Sequence, residues 1–162
     1  MTGAEFKTLR EYTGLPVAAL AKLAGVQERT VRYWEDDSRG SRVPDDVVNT
    51  VENINTMLDR IVDESVAAVR ARIAEEGKRP DSIALIRYRT DEDLWHYDPA
   101  FQPLPVTVHA AMLSRARIAL ADLHVRTWII YLDRDGYEKW LDGRADSTVR
   151  RTEWASLQPP PE

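Results

Sequence analysis

Cysteine is absent from this chain. With it go disulfide staples and every thiolate metal site, a usage that fits a reducing compartment. No run approaches the roughly 20 apolar residues of a membrane span, and the first residues lack the basic-then-apolar order of a secretion signal. The expectation is a cytoplasmic protein with no membrane partner. Glycine is scarce, seven residues that never cluster, so no glycine-rich loop can cradle a phosphate; nucleophile elbows and paired-carboxylate signatures are missing too. These absences predict a protein that is not an enzyme and needs no cofactor. Positive charge is in deficit as well. A net charge of −5 argues against indiscriminate polyanion binding and makes the placement of the charges decisive.

The surplus acid lies beyond residue 45, because residues 1–45 hold 7 basic and 7 acidic side chains. Within that balanced segment, residues 15–35, LPVAALAKLAGVQERTVRYWE, have the apolar spacing of two short helices joined by a sharp turn, a helix-turn-helix. Leu20, Ala21 and Leu23 are expected to face inward from the first helix, and Val31 and Trp34 from the second. Gly25 stands where the turn needs a residue that tolerates positive φ. What remains outward on the second helix is polar: Gln27, Glu28, Arg29, Arg32 and Tyr33 have the reach and hydrogen-bonding groups to read base edges in a major groove. Arg29 and Arg32 are the strongest candidates, since arginine can donate two hydrogen bonds to guanine O6 and N7. Glu28, four residues before Arg32, also fits a surface salt bridge. Tyr33 suits a thymine methyl, a phosphate or the edge of the local core. Lys22, Arg39 and Arg42 fall where phosphates would lie.

The remaining organisation predicts a mainly α chain with a small α/β C-terminal part. Thr2 and Glu5 have capping-box spacing and open a first helix with Phe6, Leu9 and Tyr12 inward, stopped at Gly14. Residues 1–45 form the N-terminal helix-turn-helix bundle. Residues 46–77 form a long connecting helix, with no glycine or proline between 45 and 76 and an apolar line of Val51, Ile54, Leu58, Val62, Val66, Val69 and Ile73. Its spacing suits packing on a globular domain or partner better than a long coiled coil. Residues 78–142 make a mixed α/β dimerisation domain: a strand at 83–89, an irregular proline-bearing loop with one helical turn at 91–95, a helix at 107–122, a strand at 124–132, a turn at Asp135-Gly136 and a short helix at 137–141. Residues 143–162 read as an extended tail with little core. Asp91, Glu92, Asp93, His96 and Asp98 match no metal-ligand spacing and read as a polar loop.

Residues 25–35, GVQERTVRYWE, resemble the second half of the Cro/C1-type (XRE) helix-turn-helix, with the likeness covering residues 4–35. The continuation through Val43-Pro44-Asp45-Asp46-Val47 into a long helix is similar to anti-CRISPR-associated autorepressors. The chain departs from the broad family at Val17, where many members place glutamine, and in Asp36 and Asp37, which must turn away from phosphate. The resemblance implies a DNA-binding domain followed by a dimerisation domain. The resulting expectation is a homodimeric transcriptional repressor that inserts residues 27–33 into successive major grooves of double-stranded DNA. Trp128, Ile129, Ile130 and Tyr131, with the long helix, are candidates for the dimer interface or for plain core. Alternatives are an antitoxin whose tail wraps a toxin protein, RNA binding by the arginine-bearing helix, and a second domain that senses or acts on a small molecule.

Overall fold

The computed structural model describes residues 1–159 and is mainly helical, with eight α-helices and one small parallel sheet. Helix α1, Gly3–Tyr12, is held at its start from two sides. The Thr2 hydroxyl accepts from the Glu5 amide and the Glu5 carboxylate accepts from the Thr2 amide. Asp37, from further along the chain, accepts from the amides of Gly3 and Ala4. A carboxylate there meets both the unpaired amides and the positive end of the helix dipole.

Helices α2, Val17–Leu23, and α3, Glu28–Trp34, follow, with Gly25 between them at φ +65°. Phe6, Leu15, Leu20, Val31 and Trp34 close the core of this region. Two expected core positions lie outside it: Leu23 is 38% exposed and Tyr12 is 56% exposed. The Tyr12 ring instead carries the guanidinium of Arg115, 3.8 Å from its centroid, a position an aromatic face at a helix end can hold without burial.

Helix α4, Asp45–Glu76, has the length expected and ends at Gly77 in the left-handed conformation. Its 32 residues span about 48 Å. Val51, Ile54, Leu58 and Val62 are buried, whereas Val66, Val69 and Ile73 are only half-buried. The difference follows from packing, because α1 and helix α6, Val106–Asp122, contact α4. At Gly14, φ +71°, an added Cβ would run into the Thr107 carbonyl oxygen, so the end of α1 and the start of α6 lie in close contact. The buried side chains of both halves accordingly belong to one continuous cluster.

Strands β1, Ser82–Arg87, and β2, Arg126–Tyr131, pair in parallel, with Ser82 opposite Arg126 and Arg87 opposite Tyr131. Parallel pairing needs a long crossover, supplied by helix α5, Asp91–Tyr97, a 3-10 turn at Pro99–Phe101, and α6. The segment expected as an irregular loop is thus ordered, and it buries Leu94, Tyr97 and Phe101. Helix α7, Arg134–Leu141, starts earlier than expected. Gly136 lies inside it, and Asp133 caps it by accepting from the Gly136 amide.

The expected extended tail contains helix α8, Thr148–Ser156, capped by Ser147 and packed on β1. Trp154, Ala155 and Arg151 are buried there. A single aromatic ring supplies most of the apolar area, which is why the segment reads as coreless by composition. The last part of that expectation, residues 160–162, lies outside the described residues.

Candidate nucleic-acid interface

The side chains singled out for base contact share one exposed face. Gln27 precedes α3, and Glu28, Arg29, Arg32 and Tyr33 project from it, all exposed, while Val31 and Trp34 hold the opposite side in the core. The helical period produces this division, since residues 28, 29, 32 and 33 fall on one side and 31 and 34 on the other. Lys22, Arg39 and Arg42 are exposed on the flanking elements.

The salt bridge anticipated for Arg32 is formed, with Nη2 donating to Glu28 Oε2 at 3.0 Å. Both side chains are more than half exposed, so the pair is worth little and breaks readily when a better acceptor is offered. Arg39 sits over the Tyr33 ring, 4.7 Å from its centroid, and donates to Asp36. Arg42 donates to Asp45 at 2.9 Å. Each of these arginines is held by a carboxylate at the surface.

The two acids that threatened this face have other employment. Asp37 caps α1, and Asp36 accepts from the Ser38 amide and hydroxyl, which together with Arg39 hold its carboxyl below the usual range.

The residue missed by sequence reasoning is Arg10. Its side chain is buried, with Nε 2.5 Å from Glu35 Oε1 and Nη1 donating to the Leu15 carbonyl at 2.8 Å. The Glu35 side chain is only 8% exposed. This pair ties α1 to the end of α3 and fixes the angle at which the exposed face is presented. Its signal was available: Arg10 falls four residues after Phe6, on the buried stripe of α1.

The acidic residues of α5 and Asp98, which follows it, are scattered among structural tasks. Asp91 accepts from the Val106 amide at the start of α6, Asp93 pairs with Arg134, and Asp98 accepts from Tyr88 and Arg151. No group of three or more histidine or acidic side chains among the described residues is arranged to hold a metal ion. None of the described helices is long and apolar enough to cross a membrane. No protein-family model and no curated protein matches the chain.

Proposed function

We propose that the protein is a sequence-specific DNA-binding regulator of the Cro/C1 helix-turn-helix type, acting as a homodimeric repressor. The observation that carries the reading is α3: a short helix with an exposed face of Gln27, Glu28, Arg29, Arg32 and Tyr33, its back anchored by Val31, Trp34 and the buried Arg10–Glu35 pair. A rigidly mounted polar helix is what direct readout of a major groove requires. Lys22, Arg39 and Arg42 border it as phosphate contacts.

A single short helix offers few base contacts, and a two-fold axis doubles them while fixing register. A second copy docking along β2 is supported by exposed Ile129 and Tyr131 and by a sheet edge that has no strand partner among the described residues. The antitoxin alternative needs a segment free to wrap a partner, whereas residues 148–156 pack on β1.

Footprinting on the DNA upstream of the protein's own gene tests the proposal. The expected result is protection of an imperfect inverted repeat with half-site centres about 34–36 Å apart. Protection of one asymmetric site, or of none at moderate salt, overturns it. Sedimentation at micromolar concentration tests the dimer, and a monomer with full operator affinity would falsify it.

A further inference from the structure

Where the end of α1 meets α4 and α6, a groove of about 530 Å³ stands open. Tyr12, Val62, Ile118 and Ala119 give it an apolar lining. Two of these rings and branches are bare: Ile118 is 68% exposed and Tyr12 is 56% exposed. Ala111, Arg115, Ile118 and Asp122 are spaced 4, 3 and 4 along α6 and so share the face that borders the groove. From Ala111 to Asp122 that face runs for about 16 Å.

The charge on this lining is acidic, with Glu11, Asp59 and Asp122 against Arg115. Arg115 is taken up within the wall. It donates to Asp59 Oδ1 at 2.6 Å and to the Tyr12 carbonyl oxygen at 2.9 Å, and its side chain is 9% exposed. Glu11 and Asp122 are left over. Glu11 lies in the last turn of α1 and Asp122 is the last residue of α6, where the exposed carbonyls of a helix end already carry negative partial charge. A carboxylate at such a place is destabilising unless a cation meets it. Glu11 touches Arg10 at 3.5 Å, and Asp122 forms no ion pair among the described residues.

We propose that this groove docks a basic amphipathic helix of another protein, with apolar side chains on Tyr12 and Ile118 and lysine or arginine beside Glu11 and Asp122. Charge complementarity sets the sign of the partner. The walls set its shape: they are helices with no strand edge among them, so an extended segment finds no backbone to pair with, whereas a helix can seat its ridge between α4 and α6. A face of 16 Å corresponds to about three helical turns. The docking surface does not depend on DNA binding.

Fluorescence anisotropy of the full-length protein with a labelled leucine–lysine peptide provides the test. The peptide is about 15 residues long, since shorter ones are marginal helices, and carries leucine at i, i+3, i+4 and i+7. It is expected to bind saturably, and a peptide of the same composition with scrambled leucines at least about tenfold more weakly. Ile118→Lys, at an exposed position, should weaken binding at least about tenfold with the helical circular-dichroism signal unchanged. Asp122→Asn should weaken it about three- to tenfold, whereas Glu92→Gln, an exposed acid outside the groove, should leave it within about twofold. The proposal is overturned by any of four results. These are no saturable binding at millimolar peptide, equal binding of the scrambled peptide, and equal effects of Asp122→Asn and Glu92→Gln, which would reduce binding to net charge. The fourth is conversion of a dimer to a monomer by Ile118→Lys, which would give the groove to a second copy of the chain.

Discussion

The region of α1 to α3 and the region from β1 to α8 each bury one arginine, but in different surroundings. In the first, the core is aliphatic apart from Phe6 and Trp34, and most charged side chains face outward, with Arg10 and Glu35 as one buried pair. In the second, Tyr88, Tyr97, Phe101, Tyr137 and Trp154 pack around a buried histidine and a buried arginine. Arg151 there is 6% exposed as a side chain, but its partners Asp98 and Asp146 are 31% and 34% exposed. The first region encloses both partners of its ion pair, whereas the second encloses the arginine and leaves its carboxylates within reach of water.

Removing one buried arginine from each region is expected to have the largest effect on stability. Arg10→Met strands the enclosed Glu35 and is expected to cost about 4–5 kcal/mol in denaturant unfolding. Arg151→Met leaves carboxylates that water reaches, so its loss should be clearly smaller; equal losses would erase the distinction. Next, Trp154→Ala should destabilise the protein by about 3–4 kcal/mol. A change under about 0.5 kcal/mol would mean that α8 contributes no core and that the second region ends before it.

Acid should act through the second region. Because the folded pKa of His109 lies near 4 against an ordinary 6.5, the unfolded chain binds a proton that the folded one refuses. Its contribution therefore makes stability fall as pH drops from 6.5 to 4, by up to about 3 kcal/mol, and then level off. Asp98 facing the ring opposes the shift and Arg87 adds to it. Unfolding midpoints of the wild type and His109→Leu across that window provide the check: their difference should change with the sign given, and parallel pH curves would remove the histidine from the account. The smallest effect on folding belongs to the first region's surface. Arg29→Ala and Arg32→Ala should leave stability within about 0.5 kcal/mol, yet cost about 1–3 kcal/mol of specific DNA affinity and relax preference at one position per half-site. Unchanged selection from randomised sites in both variants would mean that α3 is not the reading element.

The first region was largely legible because its elements are contiguous and periodic. The exposed face of α3 follows from spacing, and the bounds of α4, which comes after this region, follow from the absence of glycine and proline between 45 and 76. Arg10 escaped because a charge on an apolar stripe is ordinarily assigned outward, and Leu23 was misassigned because the inward face of α2 runs through Val17, Leu20, Ala21 and Ala24, leaving Leu23 beyond its margin. In the second region the strands were legible from β-branched and aromatic content, yet a cavity joins α4, β1, α6 and α8, which are distant along the chain. No local pattern brings Ile61, His109 and Arg151 together. Helix α8 escaped because its buried side is built from Trp154, Ala155 and Arg151, a set without apolar periodicity, although Ser147 supplied a cap signal.

The parallel pairing of β1 with β2 also sets an order of events during synthesis. Phe6, Leu20 and Val31 find neighbours in α1 to α3 and in the first turns of α4, all made early. Strand β1 emerges with no strand to join until Arg126–Tyr131 follows, and with only α6 against it until Thr148–Ser156 follows. In that interval Ile83, Leu85 and Ile86 form an open edge that can pair with a neighbouring nascent chain. Closure of this sheet depends on contacts between segments distant in sequence, the class of contact that forms slowly.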